Sequence, residues 1–289
     1  MEITREMVEE ALDFYRLDDP GYRKKCFDCV EEIKGNEALS KKIDEVTDAF
    51  FVTEHGEKRS LYRKQTIKEI FSEVKSNYIG NVVFFSGCRR HKEGIKRMGF
   101  DEFQTEHQIK GVRGSLTFDK DGLGMRYFSW GSVFIRCDIV KAGNLQFERV
   151  IHSPSAETIE PPKCAHIHIP RGSDISREAV AKTLKEGKEA VLRYFGPGFE
   201  QRYCDSWLLC PYLQKILPPT SNILAFQSFF DITETKDAKN SILFFAFRKE
   251  KDFPLEDLPE DTSLQRSLKA ALLRGEVINL GLGRVKDIY

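Results

Sequence analysis

The sequence contains no uninterrupted apolar segment near the ~20 residues needed to cross a bilayer. That excludes a protein built on helical membrane spans. The opening residues MEITREMVEE are charged and lack the apolar core of a secretory signal. Net charge is also missing, since 45 Lys and Arg residues offset 45 Asp and Glu residues. The overall balance therefore points to neither nucleic acid nor an anionic membrane as partner. No GxSxG, HExxH or phosphate-binding P-loop is present, so no hydrolase-type nucleophile–base pairing can be read. LGLG at 280–283 lacks the GxGxxG context of a dinucleotide site and reads as a bend or a place of close packing. Internal repeats and low-complexity segments are absent.

The seven cysteines are odd in number and scattered, which argues for reduced thiols in a cytoplasmic protein. Cys26 and Cys29 in KCFDCV have metal-like spacing, and Cys88 with His91 in GCRRH could complete a set of four. Zinc needs four ligands converging tetrahedrally. On a helix the two thiols simply lie one turn apart, with Cys29 facing the core. No metal is expected.

What the chain does have is core material: 289 residues, 40% apolar, with 22 phenylalanines. The first half reads as charged-faced helices. ITREMVEEALDFYRL spaces Val8, Ala11, Leu12 and Tyr15 helically behind a candidate N-cap, Thr4. RKKCFDCVEEIKG continues as a second helix, closed by Gly35. NEALSKKIDEVTDAFF and a helix through Ile67, Ile70, Phe71 and Val74 continue the pattern. YIGNVVFFSG and SWGSVFIRCDIVKAG stay undecided between helix and strand, and residues 111–128 read as a loop or hairpin.

From residue 144 the texture changes. NLQFERVIHS alternates as a half-buried strand does. SAETIEPP reads as a turn and KCAHIHIP as a second strand. A helix over REAVAKTLKEGKEAVLRYFG comes next, then a strand over EQRYCDSWLL and a short helix over PYLQKIL. NILAFQSFFDI and SILFFAFRK are expected to be a strand pair joined by TETKDAKN, and DTSLQRSLKAALLRG a last helix. The reading is a mixed α/β (α+β) protein, with a helical domain over 1–141 and a second domain over 142–289.

That element order resembles the GNAT superfamily of N-acetyltransferases. AGNLQFE, HIP, DSWLLCP, LPPTSNILAFQ and DTSLQR, in this order, resemble a bacterial family of GNAT-like acyltransferase-domain proteins that pair a helical N-terminal domain with a GNAT-like C-terminal one. The resemblance is good over about 142–289. It implies acyl transfer, with acetyl expected, from acyl-coenzyme A as cosubstrate to an amine on a small molecule or peptide, by direct attack on the thioester. A GNAT-derived module that binds a ligand or protein without catalysis is the alternative.

The superfamily holds the coenzyme A pyrophosphate on a glycine-bearing turn between strand and helix. Here that junction is HIPRGSDISREAV, where Ile169, Arg171, Gly172, Ser173 and Ser176 are the expected cofactor-facing residues. A free helix N-terminus favours an anion, and Arg171 adds a charge-assisted contact. Alternatively, Asp174 or Ser176 caps the helix and Gly172 only eases the turn. Only one glycine stands where the family has several. Cys210 replaces the acidic residue that the family tends to carry before the proline.

Transfer needs a base for the amine, donors for the oxyanion and an acid for the leaving thiolate. Candidate bases are Glu148 and the pair His166 and His168, which share one face of a strand. Ser206 is a candidate oxyanion donor, and Asp205 and Asn222 are candidate contacts to the acceptor. Tyr212 sits where many acetyltransferases of the superfamily keep a thiolate-protonating tyrosine. Trp207 is expected in the core, and Ser221 with Asn222 is also ordinary turn chemistry.

Overall fold

The computed structural model describes residues 1–62, 65–116, 127–152 and 157–287, apart from the side chains of 55–57 and 234–236. Most of the loop-or-hairpin reading at 111–128 and the start of the turn at 155–162 lie outside the described residues. Residues 111–115 belong to a helix.

The chain divides into two compact units, Met1–Val140 with Glu148–Pro162, and Lys141–Phe147 with Lys163–Tyr289. Described helices of the first are α1 (Arg5–Phe14), α2 (Pro20–Ile33), α3 (Glu37–Phe51), α4 (Gly56–Ser60), α5 (Ile67–Ile70), α6 (Ile79–Phe85), α7 (Cys88–Met98), α8 (Glu102–Ser115) and α9 (Phe128–Ile135). Local chemistry sets their starts. Thr4, Asp19, Asn36, Thr66 and Asp101 each accept a backbone N–H at an N-terminus, as capping side chains do. Gly99, left-handed at φ +61°, closes α7. The helical stripes read from the sequence are buried: Val8, Ala11 and Leu12 from α1 with Tyr15 at its C-cap, and Leu39, Ile43, Val46 and Phe50 from α3. Both undecided segments contain helix, with Ile79–Phe85 wholly so and Phe128–Ile135 preceding a strand.

The strands are β1 (Ile139–Ala142), β2 (Leu145–Ile151), β3 (Lys163–His168), β4 (Arg202–Ser206), β5 (Phe230–Asp237) and β6 (Asn279–Val285). Their order is β1-β2-β3-β4-β6-β5. β3 and β4 run parallel, joined by the long helix α10 (Arg177–Phe195), while β6 pairs antiparallel with both β4 and β5. Gly187 sits in the middle of α10 although glycine costs a helix about 1 kcal/mol. A Cβ there would lie 2.0 Å from the Phe147 ring, so the glycine lets β2 and α10 pack closely.

Three assignments change. Residues 222–227 form a helix, α12, preceding β5, because Ser221 accepts the Ile223 N–H and Phe226 and Gln227 turn inward together. SILFFAFRK is likewise helical: α13 (Lys239–Ile242) runs into a π-helical turn, Leu243–Phe247. A strand would put residues 243, 245 and 247 on one face. Instead Ile242, Leu243 and Phe247 are buried while Phe244 and Phe245 are exposed. Finally, the LGLG segment is strand β6. Its glycines do serve close packing, since a Cβ on Gly281 would lie 2.1 Å from the Leu209 carbonyl oxygen. The short helix after the proline is α11 (Leu213–Ile216), and α14 (Ser263–Leu273) opens with a capping box of Thr262 and Gln265.

Candidate active site

The second unit holds a cavity of about 530 Å³ whose walls come from three segments. The first is the loop from Ile169 to Ile175, between β3 and α10. Gly172 takes φ +79°, a left-handed value suited to glycine, and nothing stands within 4 Å of where a Cβ would point. Ser173 Oγ lies 2.7 Å from the carbonyl oxygens of both Pro170 and Asn144 and ties the loop down. Asp174 Oδ1 accepts the Ser176 N–H at 2.8 Å, which holds that carboxyl below the usual carboxylate range. Ser176 is the N-cap of α10, yet its side chain makes no capping bond. The first turn of a 19-residue helix thus has no side-chain cap, leaving a local excess of N–H donors and positive dipole.

The second segment comes after β4. The β3–β4 register pairs Ala165 with Arg202 and His166 with Tyr203. The cavity opens a few residues further along, between Ile169 and Pro170 on one side and Trp207 and Leu208 on the other. The chain turns there through a 3-10 turn, Trp207–Leu209, which the Ser206 side chain caps by accepting the Leu208 N–H at 3.2 Å. Buried Gln227 fixes the backbone of that turn and of Cys210, because its Nε2 donates to the carbonyls of Leu208 (2.9 Å) and Cys210 (3.0 Å). Its Oε1 accepts from Gln214 at 3.0 Å.

The third segment belongs to the insertion between β5 and β6. Phe244 and Phe245 face the cavity with their rings edge to face, 4.9 Å apart at 89°. Arg248, Lys249 and Glu250 come next, and Gln265 Nε2 anchors the turn by donating to the Ala246 carbonyl at 3.0 Å. The whole lining pairs an apolar set (Ile169, Ile175, Trp207, Leu208) with cations. It can take a ligand that is anionic at one end and apolar along its length.

Of the candidate cofactor residues, Ile169, Arg171, Gly172 and Ser173 line this cavity, and Ser176 starts the helix behind it. His166 and His168 share the half-buried face of β3, with His168 adjacent to Ile169. Ser206 adjoins the lining residue Trp207, its oxygen engaged as a cap. Asp205 is exposed at the end of β4, and Asn222 is exposed at the start of α12. The Tyr212 hydroxyl interacts with Glu276 and Arg274, outside the cavity lining; partial burial and the Glu276 carboxylate raise its pKa. Glu148 lies in the first unit, where its charge acts on Arg59.

Trp207, expected in the core, packs partly on apolar neighbours and also walls the cavity. Leu208, Phe244, Phe245, Arg248, Lys249 and Glu250 are lining residues that sequence reasoning missed. The signal was present in FFAFRK, where three aromatics precede two cations, but a strand reading hid it.

Cys26, Cys29, Cys88 and His91 do not converge among the described residues. Each thiol is separately buried, and burial pushes them up to about 12, 11 and 11 respectively.

A family model described as a GNAT-like C-terminal domain matches residues 139–285. No curated protein matches the chain. Among solved structures, an acyltransferase mutant in complex with octanoyl-CoA is similar at 22% identity and TM-score 0.72, covering 96% of this chain and 88% of the other. An acyltransferase in complex with decanoyl-CoA and teicoplanin has 21% identity and TM-score 0.68, covering 96% and 87%. Another, with decanoyl-CoA, has 17% identity and TM-score 0.62, covering 96% and 98%.

Proposed function

Since the chain belongs to the family with a GNAT-like C-terminal domain, we propose that it is an N-acyltransferase moving an acyl group from coenzyme A to an amine. The carrying observation is the cavity between the ends of β3 and β4, opening onto the uncapped N-terminus of α10. Arg171 and the first-turn N–H groups receive the pyrophosphate. Ile169, Trp207 and Leu208 line the path of the pantetheine arm. The acceptor amine attacks the thioester carbonyl directly. His168, beside the cavity on β3, takes the amine proton, with His166 as the second candidate on that face. Collapse of the tetrahedral intermediate expels the coenzyme A thiolate. A cytoplasmic place for the enzyme goes with this donor.

The acceptor class is a small molecule or peptide amine, as the resemblance implies and as teicoplanin in one structural relative supports. For the acyl chain, acetyl is the sequence-based expectation, while the relatives hold octanoyl and decanoyl donors. Isothermal titration with acetyl-, octanoyl- and decanoyl-CoA tests the reading. Binding is expected, and Arg171→Ala should weaken it roughly ten- to a hundredfold, the range for a charged hydrogen bond. Absence of binding at millimolar concentration for all three donors would remove the proposal. Binding with no transfer to a panel of amines would favour the inactive module.

A further inference from the structure

The wall contributed by the insertion between β5 and β6 carries groups that transfer chemistry does not require. Its π-helical turn is a rare conformation that recurs at functional sites. The turn ends on Arg248 at φ +58°, with the Lys249 N–H donating to the Leu243 carbonyl at 2.9 Å. Helix ends of this kind usually carry Gly or Asn, because the left-handed region strains other side chains. Strain kept at a surface turn points toward function when the side chain has something to bind. The Arg248 guanidinium is exposed and makes no ion pair or hydrogen bond among the described residues, and the same holds for that of Arg171. Lys249 lies 4.3 Å over the Phe253 ring, and Glu250 is the one carboxylate among the described lining residues.

One cavity thus presents two separate cation groups, Arg171 beside α10 and Arg248 with Lys249 on the insertion, together with two exposed phenyl rings. Phe244 is 43% and Phe245 61% exposed, although a site for acyl and pantetheine alone needs no aromatic face turned to solvent. Two anionic groups on one sugar that also carries a flat base would satisfy all of it. Coenzyme A carries such a set: a 5′-pyrophosphate, an adenine and a 3′-phosphate.

We propose that the insertion is the nucleotide-reading half of the site, with Arg248 and Lys249 binding the 3′-phosphate of coenzyme A and Phe245 stacking on its adenine. This rests on the acyl-CoA reading. Guanidinium and ammonium donors to a phosphate give charge-assisted hydrogen bonds, and base–aromatic stacking adds affinity without regard to the phosphate. The two contributions therefore separate by mutation.

The experiment is titration of the full chain with coenzyme A and with 3′-dephospho-coenzyme A, backed by 3′,5′-ADP against 5′-AMP. Wild type is expected to prefer each 3′-phosphorylated ligand roughly ten- to a hundredfold. Arg248→Ala with Lys249→Ala should abolish that preference. Phe245→Ala should weaken the two coenzymes equally and keep the preference. Equal wild-type affinities would overturn the subsite while leaving the acyl-CoA reading intact. A preference surviving the double substitution would overturn it too, assigning the phosphate to another wall. Failure of wild type to bind either coenzyme would overturn both readings.

Discussion

Asp138, in the first unit, is 1% exposed and receives Arg136 Nε at 2.6 Å, Arg149 Nη2 at 2.7 Å and the Thr53 hydroxyl. Arg136 spends its Nη1 on the Phe50 carbonyl and Ser132 Oγ. Burial, and then the charge of Arg136, press the nearby Arg59 guanidinium down to about 10. In the second unit Arg171 and Arg248 line an open cavity without such partners among the described residues. The charges clustered on Asp138 are consumed by the fold, whereas Arg171 and Arg248 are left for something else. Charge content alone, balanced over the whole chain, would not distinguish the two; partnership and burial do.

The sharpest way to break that contrast is to remove Asp138. Asp138→Ala strands the buried Arg136 and should lower unfolding free energy by roughly 3–5 kcal/mol, the usual cost of uncoupling a buried pair. Urea denaturation measures it. Arg171→Ala, measured in parallel, should change stability by no more than about 0.5 kcal/mol. A comparable loss at both positions would erase the distinction between structural and functional cations.

His91 gives a pH-dependent version of the same test. It is fully buried in α7, with its Nδ1 2.9 Å from the Tyr15 hydroxyl and the rings of Phe14 and Tyr15 around it. Burial lowers its pKa from 6.5 to about 3. The unfolded chain therefore takes up a proton that the folded one refuses. The stability associated with neutral His91 is fully present above pH 6.5 and is lost as pH falls toward 3. The expected slope is about 1.4 kcal/mol per pH unit inside that window. His91→Gln should flatten this part of the profile, and an unchanged slope would mean that other groups set it.

The parts of the fold that were legible in the sequence are those with one dominant local signal. The stripes of α1 and α3, the cap at Thr4 and the alternation in β2 arise from residue type and spacing alone. NILAFQ and SILFFAF were not legible, because a short apolar run satisfies helix and strand equally and tertiary packing decides. β6 was hidden by its glycines, which are explained by Leu209 and Phe230 lying against them. The site divides in the same way. The loop Ile169–Ser173 could be placed from the strand-to-helix junction and a family resemblance, whereas Phe244, Phe245 and Arg248 depend on a π-helical turn that local periodicity does not announce.

The finest test concerns Ser206, at the border between the two kinds of role. Its oxygen accepts the Leu208 N–H and thereby starts the turn that carries Trp207 and Leu208 into the cavity wall. A cap of this kind is worth about 1 kcal/mol. A donor to the oxyanion is worth roughly a hundred- to a thousandfold in turnover. Since the geometry accounts for the serine as a cap, Ser206→Ala should cost about 1 kcal/mol of stability and leave kcat within a few-fold. Because the cap also shapes the wall, KM for the acyl donor should rise more than kcat falls. A hundredfold fall in kcat at unchanged stability would instead make Ser206 a catalytic residue, and would show that a side chain beside this cavity can be spent on the fold and still serve the reaction.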